Sequence, residues 1–383
     1  MIEQSILELL NAPTKQERLE NLAKILPQTQ FPPMVDVYIN NHIHTTYSFS
    51  PYSPTAAVYA ARMEGLCTAG IIDHDSISGA EEFLEAAKLI GMPVTIGMEA
   101  RISMDGTRLE GRRTNNPDQE GVSYMTIQSV PHDKIQRLTE FFRPYRQARH
   151  ERNRKMVAKI NELLNLDMDY ERDVLPLSQA SEEGGVTERH LMYALAMRLM
   201  KEVGRGEAMI NKLSEMGLTL SEKQKKQMMD MEYPFYAYDL LGILKGAFVP
   251  QIFIPATDEC PKLPEVVALC REVDAYLCYA YLGDVGDSVT GDKKAQKFED
   301  DYLEDVFLCL EEEGVKSVTY MPTRNTPAQL DRLRGLCRQY GMFEISGEDI
   351  NTPRQSFVIR AMEDPKFANL IEATWKLIEH EKQ

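Results

Sequence analysis

The sequence predicts an α/β protein built from strand–helix units that close into a barrel, with one long helical segment interrupting them. Three observations lead to this fold class. Short apolar runs rich in β-branched residues recur along the chain, helical patterns separate several of them, and the stretch at about 131–246 has helical signals with almost no strand. Alternating strands and helices are typical of parallel sheets whose connections cross on the outside.

Seven apolar runs have the length and composition of strands. They lie at 35–40, 67–72, 94–98, 122–127, 275–280, 315–320 and 342–346. Helices between them have recognisable ends. Ser53 is placed to cap a helix that has Pro54 at its first position, and a later helix has Pro327 near its start and Gly341 at its end. We therefore expect parallel βα units that close into a barrel.

The helical segment divides this barrel into two parts. We assign residues 35–150 to the first part, residues 151–255 to a helical insertion, and residues 256–383 to the second part with a C-terminal helix. Residues 1–34 carry leucines at helical spacing, which predicts a helical arm on the outside of the barrel.

Charge and cysteine usage indicate the compartment and the partners. Lys+Arg 43 against Asp+Glu 59 gives a formal net charge of −16, which disfavours a nucleic-acid partner because binding to phosphates needs a basic face. The N-terminus lacks the features of a signal peptide, and the most apolar window is too broken to span a bilayer. Six cysteines without C-x-x-C spacing fit reduced thiols. We expect a cytoplasmic protein without a membrane partner.

Residue types that bind metals cluster at three predicted strand ends. His42 and His44 are two apart and face the same side of an extended chain. His74 follows the second strand in IIDHDSISG, and Glu99 ends the third in VTIGMEAR. Each element alone is compatible with a solvated polar group or a helix cap. Because strand ends converge on one face of a parallel barrel, the three together predict a cation site.

The motifs HIHTTYS, DHDSISG and IGMEA closely resemble the PHP (polymerase and histidinol phosphatase) family of metal-dependent phosphoesterases. The family pattern is H-x-H-T-x-x-S-D-G, then T-D-H-D, then G-x-E. The resemblance extends over about 36–155 and 255–355. It implies a distorted (β/α)7 TIM-like PHP barrel that gathers metal ions at the carboxyl ends of its strands.

The resemblance implies that one metal site of the family is complete. Its ligands are His42, His44, Glu99 and Asp349, the last in ISGEDINTP. Two histidines and two carboxylates suit Zn²⁺, Mn²⁺ or Fe²⁺ and leave positions for water or a phosphate oxygen.

The other two metal sites of the family are incomplete in this sequence. Phe49, Tyr281 and Asn351 stand where the family has ligands, and His74 remains alone. The resemblance therefore implies about one divalent ion per chain, with His74 as a catalytic residue. Losing bridging ions removes more than a proportional share of hydrolysis, although one ion still polarises a phosphoryl group.

The insertion supplies further candidates. His190 in VTERHLMYAL matches a histidine that lies near the substrate in a PHP subgroup, although Glu188 and Arg189 replace the arginine and proline before it. Arg149 and Arg152 share a face of the long basic helix, and we predict that they bind phosphate. The alternatives are a helix N-terminal role for His190 and paired arginines on a solvated helix.

Two functions remain open from the sequence. The first is a phosphoesterase that hydrolyses a small phosphorylated molecule through a reduced, single-metal centre. The second is a non-catalytic relative that binds a metal or a phosphorylated ligand for a regulatory or structural role. The identity of the substrate, the metal and the oligomeric state do not follow from the sequence.

Overall fold

The computed structural model describes residues 2–286 and 296–382, and within them one seven-stranded sheet is surrounded by helices. The strands lie side by side in chain order: β1 (Val35–Ile43), β2 (Leu66–His74), β3 (Val94–Ser103), β4 (Val122–Gln128), β5 (Tyr276–Tyr281), β6 (Ser317–Tyr320) and β7 (Phe343–Ser346). The end of β1 pairs with Ile350 beyond β7, so the sheet forms a nearly closed barrel. The predicted α/β barrel class is confirmed.

Helices enclose the sheet and form a separate layer beside it. The helices before and among the first strands are α1 (Gln4–Leu10), α2 (Lys15–Ile25), α3 (Pro54–Met63) and α4 (Ala80–Ile90). The helices between β4 and β5 are α5 (Ile135–Leu164), α6 (Glu188–Val203), α7 (Glu207–Glu215), α8 (Glu222–Met229), α9 (Tyr236–Ile252) and α10 (Leu263–Val273). The remaining helices are α11 (Leu303–Glu313), α12 (Pro327–Tyr340) and α13 (Ala368–His380).

The helix ends follow local sequence signals. The Ser53 side chain accepts the Ala56 N–H at the start of α3, where Pro54 occupies the first turn. Gly341 takes the left-handed conformation that ends α12, with φ of 61°. Such caps satisfy backbone groups that a helix end leaves unpaired.

The parallel arrangement has one exception. Strand β4 is antiparallel to both β3 and β5, whereas the other neighbouring strands are parallel. The connection between β3 and β4 contains no helix among the described residues. Because only a parallel neighbour requires a long crossover, the chain returns directly beside β3. The prediction of parallel strands throughout was wrong at this strand.

Two hydrophobic clusters support this architecture. One fills the barrel and its outer helices, and the other lies among α5, α6, α7, α8 and α9. The arm is fixed to the barrel by a buried ion pair in which Arg18 Nη2 lies 2.6 Å from Glu82 Oε2. In the described parts of the chain, every helix is too short or too polar to cross a bilayer.

Candidate metal centre and cavity

Three histidines meet at the carboxyl ends of the first two strands. His42 lies on β1, His44 follows it immediately, and His74 ends β2. The ring centroids of His42 and His44 are 5.0 Å apart, and those of His44 and His74 are 4.4 Å apart. The parallel register of β1 and β2 thus brings the predicted imidazoles into one group.

Two carboxylates complete this group. Glu99 lies on β3, with its Oε2 2.9 Å from His74 Nδ1 and 3.9 Å from His42 Nε2. Asp349 follows β7, with its Oδ1 3.1 Å from His44 Nε2. The next residue, Ile350, exchanges backbone hydrogen bonds of 2.9 and 3.1 Å with β1, which fixes the loop that carries Asp349.

The charges of this group are set by mutual proximity. Burial alone would raise the pKa of Glu99 and of Asp349, but the adjacent imidazoles hold both pKa values below their usual range. Burial lowers the pKa of His42. For His44, the same effect of burial is outweighed by the Asp349 carboxylate, so its pKa is raised. The carboxylates are therefore ionised at neutral pH.

This donor set fits a divalent cation. Two triplets, His42–His44–Asp349 and His44–His74–Glu99, each place one ligand atom per residue within 4.8 Å of one another. Among the described residues, the Nε2 atom of His42 is buried without a hydrogen-bond partner, and the buried Nε2 atom of His44 lies beside the Asp349 carboxylate. A metal ion would satisfy these atoms, and the mixture of imidazole and carboxylate suits Zn²⁺, Mn²⁺ or Fe²⁺.

A second layer of residues orients His44, and the sequence did not single it out. Asp73 is buried and accepts hydrogen bonds from Thr45 Oγ1 at 2.6 Å and Ser48 Oγ at 2.6 Å. Ser48 Oγ in turn lies 3.2 Å from His44 Nδ1. Such partners fix the orientation of a metal-binding imidazole. The Asp73 signal was present in the motif DHDSISG.

The group opens into a cavity of about 240 Å³. Its lining on the barrel side includes His42, His74, Glu99, Tyr124, Tyr281, Tyr320, Asp349 and Asn351. Its lining on the other side includes two cations from the helices, Arg189 on α6 and Lys245 on α9. The Arg189 guanidinium donates to the Asn351 carbonyl at 3.2 Å. The candidate metal ligands His42, Glu99 and Asp349 therefore share one cavity with these two cations.

Burial of the two cavity cations has a desolvation cost, which a bound anion would offset. Burial lowers the pKa of Arg189 and of Lys245, and the Arg189 guanidinium lowers that of Lys245 further. No sequence motif assigned a role to either residue. A signal for Lys245 existed, since it is the one charge within the apolar run LLGILKGAFV.

The family model of the PHP domain matches residues 40–212. The resemblance to PHP proteins is confirmed. The match begins in β1 and extends beyond α6, so it includes the histidine motifs, Glu99 and Arg189.

Solved structures and curated proteins extend this comparison. A protein from Bifidobacterium adolescentis, described as a candidate metal-dependent phosphoesterase, has a TM-score of 0.55 and 18% identity over 89% of this chain and 98% of its own. An amidohydrolase from Chromobacterium violaceum, solved with bound sulfate and no metal, has a TM-score of 0.55 and 14% identity over 84% of this chain and 90% of its own. Both likenesses establish the fold.

The curated relatives match only in part. A 5′-3′ exoribonuclease from Haemophilus influenzae is 35% identical over 65 residues, which are 17% of this chain and 24% of the exoribonuclease. An error-prone DNA polymerase from Mycobacterium bovis is 32% identical over 96 residues, which are 24% of this chain and 8% of the polymerase. The chain thus spans a quarter or less of these relatives.

The positions at which the sequence departs from the PHP pattern have other partners. The Phe49 ring packs against His190, Tyr193 and Tyr238, with centroids 4.9, 5.5 and 5.4 Å away. The Tyr281 hydroxyl donates to Asp300 Oδ1 at 2.6 Å. Asn351 Nδ2 donates to Asp349 Oδ1 at 2.6 Å.

His190 lies in the core of the helical layer. It is buried, and its Nδ1 accepts the Thr187 N–H at 3.0 Å. Burial lowers its pKa to about 3, so the ring is neutral. His190 lies at the start of α6, which is the alternative that the sequence left open. It is not among the described residues that line the cavity.

Arg149 and Arg152 are buried in ion pairs. Arg149 contacts Asp75 through Nη1, and its Nη2 lies 2.9 Å from Glu188 Oε2. Arg152 contacts Glu188 and donates through Nε to Glu259 Oε2 at 2.7 Å. Arg149 also borders a smaller cavity of about 60 Å³ beside His74. Carboxylates therefore engage both guanidinium groups, and phosphate binding by these two arginines stays a prediction.

Proposed function

We propose that this protein is a metal-dependent phosphoesterase that hydrolyses a small phosphorylated substrate with a single divalent ion. The ion would be held by His42, His44, Glu99 and Asp349. One observation carries the proposal: three of these ligands, His42, Glu99 and Asp349, line the same cavity as two cations, Arg189 and Lys245. That arrangement suits an anionic group that bridges a metal and a cationic wall.

The residues of the cavity have distinct tasks in this proposal. A divalent ion, when bound, would lower the pKa of a water molecule and polarise the phosphoryl group. The Arg189 fork and the Lys245 ammonium bind the phosphate oxygens and orient the ester. His74 has Nδ1 2.9 Å from Glu99, so its other ring nitrogen is the one that exchanges a proton with water or the leaving oxygen.

The environments of Phe49 and Tyr281 support the single-ion centre. The Phe49 ring has no ligand atom and belongs to the hydrophobic cluster of the helical layer. The Tyr281 hydroxyl is a donor to Asp300, and burial raises the pKa of this phenol, which disfavours the phenolate that would bind a metal. Each position would have to reorganise before it supplied a ligand.

The size of the cavity supports a small substrate. A cavity of about 240 Å³ has the volume of a small-molecule site. The net charge of −16 also disfavours a polyanionic partner. Binding to single-stranded DNA at physiological salt would count against this restriction.

Phe49 and Tyr281, which stand where the PHP family has ligands, also favour a second candidate function. If one ion is too few for hydrolysis, the cavity would bind a phosphorylated ligand without cleaving it. Such a ligand would raise the melting temperature of the metal-loaded chain yet remain intact over hours. Six buried free cysteines fit either function in a reducing cytoplasm.

Hydrolysis of p-nitrophenyl phosphate and bis(p-nitrophenyl) phosphate by the Mn²⁺- or Zn²⁺-loaded chain tests the proposal. Asp349→Ala should abolish turnover, whereas Asp331→Ala, an exposed carboxylate on α12, should leave it unchanged. Equal turnover in both variants would rule out catalysis at this centre. Absence of turnover in the unmodified chain would favour the non-catalytic function.

A further inference from the structure

We propose that Arg149 is a positioning residue that keeps the metal centre and the cavity cation Arg189 in a fixed position relative to each other. This inference rests on the proposed function of the cavity. Arg149 lies on α5 and contacts two carboxylates, one next to His74 and the other next to the cavity cation Arg189.

The first contact fixes the metal side. Asp75 directly follows His74 and has a left-handed backbone, with φ of 57°. Its N–H donates to the Glu99 carbonyl at 2.7 Å, and its own carbonyl accepts from Arg146 Nη1 at 3.1 Å. Because a non-glycine residue adopts this conformation only when neighbours hold it, the ion pair with Arg149 helps to place both His74 and Glu99.

The second contact fixes the cation side. Glu188 is the first residue of α6 and directly precedes Arg189. Its Oε2 accepts from Arg149 Nη2 at 2.9 Å, and its other oxygen contacts Arg152. The position of α6 over the cavity therefore depends on the same guanidinium that holds Asp75.

A phosphate contact through the Nη atoms of Arg149 would break these pairs, whereas its Nε is buried without a hydrogen-bond partner among the described residues. Releasing the guanidinium would leave Asp75 and Glu188 as buried carboxylates with fewer partners, which is strongly unfavourable. Arg152 provides a matched comparison on the same helix. It is equally buried, but it pairs with Glu188 and Glu259 and not with Asp75.

Two binding measurements separate positioning from direct contact. Mn²⁺ affinity is measured by titration of the metal-free chain, and the affinity for inorganic phosphate is measured on the Mn²⁺-loaded chain. We expect Arg149→Gln to weaken both affinities by about tenfold, as for other partners that orient metal ligands. Arg152→Gln should lower the melting temperature to a similar extent but leave Mn²⁺ affinity within about twofold.

Loss of phosphate affinity alone in Arg149→Gln would overturn the inference, because it would make Arg149 a direct phosphate ligand. Unchanged affinities for both ions would overturn it too. Arg149→Lys keeps the charge but not the fork that joins two carboxylates, so it should show the same Mn²⁺ loss. If Arg149→Gln does not fold, the two affinities of Arg149→Lys decide between positioning and direct phosphate contact. A chain that binds Mn²⁺ yet cleaves no ester would refute the proposed function, while the affinities would still decide the role of Arg149.

Discussion

The barrel wall of the cavity and the neighbouring arginine–carboxylate network use buried charge in different ways. On the barrel wall, His42 Nε2 is buried without a hydrogen-bond partner among the described residues, and the adjacent His44 Nε2 lies 3.1 Å from Asp349 Oδ1. In the network, three arginines pair with three carboxylates, although the Nε atoms of Arg101 and Arg149 have no hydrogen-bond partner among the described residues; its members are Arg101, Arg149, Arg152, Asp75, Glu188 and Glu259. Clustered metal-binding side chains with an unpartnered nitrogen indicate a missing ion, whereas arginines paired with carboxylates indicate structure.

The largest expected effect concerns the barrel wall. Glu99→Gln keeps the size of the side chain but removes the charge that two histidines face. We expect Mn²⁺ affinity to fall on the order of 1000-fold, because losing a direct ligand costs more than the roughly 10- to 100-fold of an outer partner. Isothermal titration would measure it, with Glu372→Gln on the exposed face of α13 as the control. A loss below tenfold would remove Glu99 from the ligand set.

Substitutions in the arginine–carboxylate network should lower the free energy of unfolding instead of the metal affinity. Arg152→Gln leaves Glu188 and Glu259 without one of their partners in a buried setting, and breaking such a pair costs about 3 kcal/mol. Urea unfolding at pH 7 would measure this loss. The exposed pair Arg137–Glu272 offers a control, since Arg137→Gln should change little. Equal stability of the two variants would mean that the network is not structural.

A third prediction concerns the pH dependence of stability at a buried carboxyl group that lies outside both regions. Glu299 is buried, and burial raises its pKa to about 7 although the N–H groups of Leu282 and Gly283 donate to it. A raised carboxyl pKa leaves stability intact below the unfolded pKa and reduces it as pH rises toward 7. Glu299→Gln should therefore stabilise the chain at pH 8 by about 2 kcal/mol and have little effect at pH 4. Equal gains at both pH values would contradict this.

The smallest effect concerns the cations of the cavity. Arg189→Gln should weaken binding of inorganic phosphate to the Mn²⁺-loaded chain by about tenfold, since it removes one charge-assisted contact. Its Mn²⁺ affinity should stay unchanged, in contrast to Glu99→Gln. Arg143→Gln, on the exposed side of α5, is the matched control. Unchanged phosphate affinity in Arg189→Gln would remove this residue from the binding wall.

The contrast between the barrel wall and the helical residues also explains which features could be predicted from the sequence. The predicted ligands His42, His44, Glu99 and Asp349 lie on or just after strands whose neighbours lie in chain order, so local motifs were enough to predict that they come together. Seven strands were predicted at nearly their observed places. The orientation of β4 was not, because strand composition does not record direction.

The helical side was harder because its contacts are long-range. The spacing of Arg149 and Arg152 predicts a shared face, but their carboxylate partners come from the turn after β2, from α6 and from the segment before α10. A helical pattern cannot show which acids will meet it. Arg189 and Lys245 reach the cavity from two separate helices, so no motif joins them.

Metal content per chain tests the proposed centre. Elemental analysis would follow purification without chelator and again after loading with Mn²⁺ or Zn²⁺, for the unmodified chain and for a His42→Ala, Asp349→Ala double variant. A single ion held by the named ligands requires about one tightly bound ion per unmodified chain and none in the double variant. No bound ion in the unmodified chain, or the same content in both, would refute the centre.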